Sequence, residues 1–313
     1  MEAALTELLK DATAGDPITG IKWTKKALRT LSAQLKRRGF QVSYGTVRRL
    51  LRQRGYHLRV NRKRLSKTAA AERDRQMRSV TRYRNRFLKA GKPVISVDTK
   101  KRELIGNFKN PGRTWRQLPL DVLEDDYPTE AEGVAIPYGI YDVAHNHGFV
   151  VVGTSHQTPQ FAVTAIRTWW RVRGRFVFAG QHELLIEADC GGANGYRCWL
   201  WKWGLQQVAN EFGLTIIVTH VPTGASKWNP VEHRLFSFIS GNWAGQPLIS
   251  YETLLKFIRT TKTETGLRCQ ARLDQHTYQT GLKITPEQKA QINITPHRVL
   301  PKWNYTIKPH AHH

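Results

Sequence analysis

Three acidic residues stand where a carboxylate can do chemistry. Asp98 closes the alternating run PVISVD (93–98), and Asp189 closes the apolar run ELLIEAD (183–189) ahead of the glycine-rich CGGANG (190–195). Glu232 lies in SKWNPVEHRLF (226–236), just before an apolar stretch. Carboxylates gathered at strand ends suit hard divalent cations such as Mg²⁺, which prefer oxygen ligands and keep some water or substrate oxygens. Each acid also has a purely structural reading. Asp98 could accept from the turn amides that follow it, and Asp189 could form an Asx-turn before Gly191 and Gly192. Glu232 could complete a capping box, with Asn229 as N-cap and Pro230 at the first helical position. Asp142 and Glu187 also face a sheet surface and could replace or supplement one of the three. Lys100, Lys101, Lys227 and Arg234 adjoin the acids in sequence and could hold phosphates or simply face solvent. His233 and Asn229 read as residues supporting the ligands from behind, and Trp228 as a buried anchor of its loop.

The elements needed to position these residues are legible in the hydrophobic pattern. Residues 93–101 alternate like a strand, 136–145 and 148–156 read as strands joined through Asn146-His147, and 160–174 is helical. The strand 183–189 is apolar enough to be buried on both faces. A helix over about 197–211, a strand over 214–220 and a further helix from the 226–236 stretch follow. This order gives a mixed sheet flanked by helices, the order of the RNase H-like fold.

Charge marks the first third of the chain. The net charge is +25, and residues 1–90 carry 24 Lys and Arg against 6 Asp and Glu. So uneven a balance points to a module that binds a polyanion, most simply nucleic acid. A helix opening at Thr24 carries Ala27, Leu28, Leu31 and Leu35 at helical spacing and stops at Gly39. A second, capped by Ser43, ends at Gly55. On the second, Val47, Leu50 and Leu51 share one arc, and Arg48, Arg49 and Arg52 fall opposite. Two short helices around a tight turn, with an arginine face on the second, describe a helix-turn-helix with its reading helix at 43–54. A helical hairpin with a basic exterior fits the same pattern. The basic VNRKRLSK (60–67) follows, then a long helix over 69–89 with Met77, Val80, Tyr83 and Phe87 as its packing stripe.

The expected organisation is therefore an all-α helix-turn-helix module at 1–66, a basic linker helix at 67–91, an α/β RNase H-like core at 92–245 and a C-terminal helical extension at 246–313. Three cysteines, none in a C-x-x-C pair, fit no disulfide framework and suggest a reducing compartment. No apolar run approaches the roughly 20 residues of a membrane-spanning helix.

Several blocks resemble, in order, those of the DDE transposases of bacterial insertion sequences, within them the ISAzo (Rhodopirellula-type) family. They are PVISVDTKKRELIGNFKNPGRTW, AIPYGIYD, ADCGGANGYR, SKWNPVEHRLFSFI and WNYTIKP. The resemblance implies an RNase H-like core after a helix-turn-helix, with Asp98, Asp189 and Glu232 as the catalytic, metal-holding acids. It implies two Mg²⁺ ions, for which Mn²⁺ is expected to substitute, and cleavage of element ends followed by joining of the 3′-OH to target DNA. Double-stranded DNA, no membrane, a homodimer or larger assembly on DNA, and a nucleoid-associated bacterial cytoplasmic setting are the matching expectations. Family members extend further upstream, so the expectation is that an N-terminal DNA-binding element is missing from this sequence, and Cys190 stands where a glycine is expected. Two rival functions remain open at this point: a DNA-binding regulator whose core no longer cuts, and a metal-dependent nuclease that cuts without joining.

Overall fold

A computed structural model describes residues 1–10, 13–15, 22–24, 26–58, 69–225 and 228–311. It divides into two compact units, Met1–Lys63 and Arg64–His313.

The first unit holds α1 (Glu2–Lys10), a short antiparallel ribbon of β1 (Thr13–Gly15) and β2 (Lys22–Thr24), α2 (Leu28–Arg37) and α3 (Tyr44–Gln53). The Ser43 hydroxyl caps α3 by accepting from the Thr46 amide at 3.1 Å. Leu5, Leu9, Leu31, Leu35, Val47, Leu50 and Leu51 form its core. The ribbon corrects the all-α expectation: Lys22–Thr24 is strand, and the helix expected from Thr24 begins at Leu28. The segment 60–67 lies outside the described residues.

The second unit opens with α4 (Ala70–Lys89), then β3 (Val94–Thr99), β4 (Glu103–Ile105), β5 (Gly133–Asp142) and β6 (His147–Gly153). Helix α5 (Pro159–Trp169) runs through a π-turn at Trp170–Gly174 into the short α6 (Arg175–Val177). After these come β7 (Glu183–Asp189), α7 (Trp199–Phe212), β8 (Thr215–Val221), α8 (Ser237–Asn242), α9 (Tyr251–Thr260), β9 (Arg268–Asp274), α10 (Pro286–Ala290), β10 (Ile294–Pro296) and β11 (Asn304–Ile307). The sheet path is β10-β11-β8-β7-β3-β5-β6-β9, with β4 on the side of β5. Strands β3, β7 and β8 are parallel, and β5 and β6 continue from β3 as antiparallel neighbours. That central path is the RNase H-like order.

Alternation along the strands divides the apolar residues between two layers. Ile95, Val97, Ile186 and Val218 face α5 and α7. On the other face, Val94, Leu185 and Ile217 pack against Phe87 of α4, while Tyr141, Val150 and Val152 pack beneath the segments around α8 and α9. The strands are buried on both sides, which is why they read as near-continuous apolar runs.

The C-terminal segment departs from the helical extension expected at 246–313. Two helices are there, but so are β9, β10 and β11, and each joins the sheet. In RCQARLD alternate side chains are buried, a period-2 pattern that marks a strand with one face covered. β11 pairs antiparallel with β8, from Asn304↔Thr219 to Ile307↔Ile216.

Candidate active site

Asp98 and Asp189 end two parallel strands, and Glu232 comes from the segment lying over the sheet face beside them. In β3, Ser96 and Asp98 point to the same face. The Ser96 hydroxyl donates to Asn229 Oδ1 at 2.6 Å and accepts from the Val231 amide at 3.1 Å. Asn229 Nδ2 reaches Asp98 Oδ2 at 3.5 Å, and the Thr99 amide donates to Asp98 Oδ1 at 2.7 Å. Asn229 is therefore buried against β3, and its side chain ties the Glu232 segment to Asp98 rather than capping a helix.

Two glycines let that segment sit so close. Gly139 is the register partner of Asp98. A Cβ there would come within 2.4 Å of Phe236 and 3.1 Å of Val231, and one on Gly148 within 2.3 Å of Leu235. The trough they leave on β5 and β6 receives Val231, Leu235 and Phe236 and sets the height of Glu232 above the sheet. Glu232 opens a π-turn, Glu232–Phe236, that leads into α8. Such wide turns often accompany functional residues.

The three acids feel one another's charge. Burial first, and then the charges of Asp189 and Glu232, push the Asp98 carboxyl up from 3.8 to about 8, against the lowering by the Thr99 amide. A hydrogen bond with Glu232 acts in the same upward direction. Burial and the neighbouring carboxylates both disfavour its charged form, a cost that a bound cation would offset. Among the described residues, no three His, Cys, Asp or Glu side chains are gathered closely enough to hold a metal ion. The donor set fits a hard divalent cation in kind: all oxygen, with Asp98 and Glu232 adjacent and Asp189 within their field. Asp189 would have to close on the pair.

A hydrogen-bonded chain holds Asp189 from behind. His220 Nδ1 lies 2.9 Å from the Asp189 carbonyl oxygen, which can only accept, so Nδ1 carries the proton. His220 Nε2 then accepts from the Tyr305 hydroxyl at 3.1 Å, and Trp201 Nε1 donates to the same hydroxyl oxygen at 3.2 Å. Burial, the largest influence, lowers the His220 imidazole to about 4, so it is neutral as this tautomer requires. Tyr305 belongs to WNYTIKP, the block whose position in the sequence gave no hint of a role.

The other acids serve the scaffold. Arg84 of α4 donates from Nε and Nη2 to the two carboxylate oxygens of fully buried Glu187, at 2.8 and 2.6 Å. Asp142 accepts from the Ala144 and His145 amides and from His145 Nδ1, stabilising the turn between β5 and β6. The cations sort differently. Lys100 is partly buried, paired with Glu103 and 4.6 Å from the Trp243 ring centroid, whereas Lys101 and Arg234 are exposed. Arg48, Arg49 and Arg52 are exposed on α3, opposite its buried Val47, Leu50 and Leu51. Lys227 lies outside the described residues. His233 is exposed, and Trp228 is 57 % exposed, which overturns its reading as a buried anchor. The apolar seat beneath that segment is filled instead by Val231, Leu235 and Phe236.

A family model described as the Rhodopirellula transposase DDE domain matches residues 4–309. The chain belongs to this family of DDE transposases. No curated protein matches it. Among solved structures, the chain is similar to the Mos1 strand transfer complex, with 14% identity, TM-score 0.45 and coverage of 82% of this chain and 68% of that one. It is similar to the Mos1 mariner paired end complex with Mn at 17% identity and TM-score 0.43, covering 82% and 69%. The mariner Mos1 paired end complex with Mg matches at 16% identity and TM-score 0.43, with the same coverages. At that distance no residue role transfers to the DDE family member described here.

Proposed function

We propose that the protein is a DNA transposase that cuts phosphodiester bonds at the ends of its element and joins the freed 3′-OH to target DNA. The observation that carries this reading is the electrostatic convergence of Asp98, Asp189 and Glu232 at one end of an RNase H-like sheet, in a chain of the DDE transposase family. Divalent cations bound there, Mg²⁺ foremost, would polarise the scissile phosphate, activate the attacking hydroxyl and stabilise the leaving 3′ oxygen.

The chain's own residues have the remaining tasks. Asp98 and Glu232 present adjacent oxygens, and Asp189 offers a third carboxylate across the strand gap. Asn229 and Ser96 fix Asp98 relative to the turn bearing Glu232, so the ligands keep their geometry when substrate enters. His220 fixes the backbone at Asp189. Exposed Lys101 and Arg234 adjoin the acids and supply positive charge for phosphates. The arginine face of α3 offers a reading surface of the helix-turn-helix kind, able to fork onto guanine edges or phosphates.

The test uses DNA carrying the element's own ends. Asp98→Ala, Asp189→Ala and Glu232→Ala should each abolish Mg²⁺-dependent cleavage and the joining of pre-cleaved ends, while end binding survives. Normal cleavage by Glu232→Ala would return Glu232 to a structural role. Cleavage by the wild type without joining would make the protein a nuclease, and specific binding without cleavage would make it a regulator.

A further inference from the structure

Helix α4 shows two contrasting faces. Its inner face is fixed to the sheet: Gln76 and Phe87 are buried, Gln76 Nε2 donates to the His220 carbonyl at 2.9 Å, and Arg84 holds Glu187. On the outer face, Arg75, Arg78, Arg82, Arg86 and Lys89 are all exposed. At about 100° per residue these five fall within a stripe about 80° wide, its centre turned about 120° from the mean direction of the buried Gln76, Ser79, Val80 and Phe87. Among the described residues no ion pair involves any of them, although Arg73, Arg84 and Glu72 of the same helix are paired. Five cations are thus held in one row on a rigid support.

We propose that this outer face of α4 is a track for the phosphate backbone of duplex DNA, a site separate from the α3 arginines and from the cations beside the acids. The row from Arg75 to Lys89 spans about 21 Å, at 1.5 Å per residue. One DNA strand presents about six phosphates over that axial length. Successive members are three or four residues apart, so each arginine meets its own stretch of backbone. A protein partner is the poorer fit. Interfaces between proteins centre on apolar or aromatic anchors, and none of the exposed large hydrophobic residues belongs to α4. The placement is also apt for substrate. Gln76, next to Arg75, bonds the carbonyl of His220, whose imidazole holds Asp189, so the row starts beside the site and leads away from it. Binding of this kind fixes register and affinity without reading sequence.

The proposal rests on the DNA-acting reading above, and its test separates the two. Binding of the full chain to a duplex of arbitrary sequence is measured by fluorescence anisotropy across a salt series. Arg75→Ala/Arg78→Ala/Arg82→Ala should flatten the plot of log affinity against log salt by about 2–3, near 0.9 for each phosphate that is no longer neutralised. Between 50 and 200 mM salt, the variant should then lose about 40-fold less affinity than the wild type does. The triple lysine variant should keep the wild-type slope, and a triple glutamine variant serves if the alanine variant fails to melt as a folded protein. An unchanged slope in a folded neutral variant overturns the track, whatever the outcome of the cleavage assay. Loss of self-association with an unchanged slope overturns it in favour of a protein–protein interface. A wild-type chain that binds no duplex at any salt overturns both the track and the transposase reading.

Discussion

At the scale of single residues, the decisive hydrogen bonds join distant parts of the chain. Asn229 is the hinge pin of the site: its carbonyl oxygen accepts a hydrogen bond from the Ser96 hydroxyl, and its amide reaches Asp98. Asn229→Ala leaves a buried serine hydroxyl without its acceptor and frees Asp98 to turn. The expected result is a loss of about 1–3 kcal/mol in unfolding free energy, from the unsatisfied group. A larger proportional drop in Mg²⁺-dependent cleavage should accompany it, with the apparent Mg²⁺ requirement raised; denaturant unfolding and a metal titration of cleavage measure the two. The positions of Asp98, Asp189 and Glu232 were legible because strand ends and a helix start can be read from periodicity. The capping motif at Asn229-Pro230 was legible as well, but its side chain is claimed by a serine 133 residues away. Local pattern carries no trace of that partner. Gly139 was more accessible: a glycine inside a strand pattern signals a close approach by something.

At the scale of elements, α4 does more than connect. Its periodicity predicted a packing stripe, and Val80 and Phe87 are buried as expected. Gln76 and Arg84 escaped notice because polar residues on a charged helix look like solvent-facing ones until their partners are placed. Arg84 is the stronger case, since Glu187 is wholly buried and Arg84 is the counter-charge it receives from α4. Burial raises the Glu187 carboxyl, and Arg84 pulls it back. Arg84→Leu should cost about 3–5 kcal/mol, the usual penalty of stranding one partner of a buried pair. Arg84→Leu/Glu187→Leu should recover most of that loss, and denaturant melts of both variants decide the matter. The alternation of RCQARLD makes β9 legible, whereas the last two strands are not. β10 and β11 are only 3 and 4 residues long, too short for alternation to emerge above turn-like neighbours.

At the scale of the whole molecule, stability should depend on pH through histidines buried in neutral form. His147 is lowered from 6.5 to about 4, chiefly by burial and then by Arg173 and His145; His220 is lowered to about 4 as well. In the unfolded chain both take up a proton as pH falls through 6.5, whereas in the folded protein they stay neutral until about 4. The contribution of these two histidines is therefore fully present above 6.5 and is lost between 6.5 and about 4. Thermal melts across that range should show the decline, and His147→Gln should make it shallower while leaving the melt at pH 8 less affected.

The chain of hydrogen bonds behind Asp189 also ties catalysis to the order of synthesis. Tyr305 lies on β11, which emerges from the ribosome after every other described strand of the sheet. Until it docks beside β8, His220 lacks the Tyr305 hydroxyl at Nε2, and the hydrogen-bonded chain behind Asp189 is incomplete. A nascent chain thus exposes its strongly basic first third well before that support is assembled. The support behind Asp189 would therefore be complete only once β11 is in place.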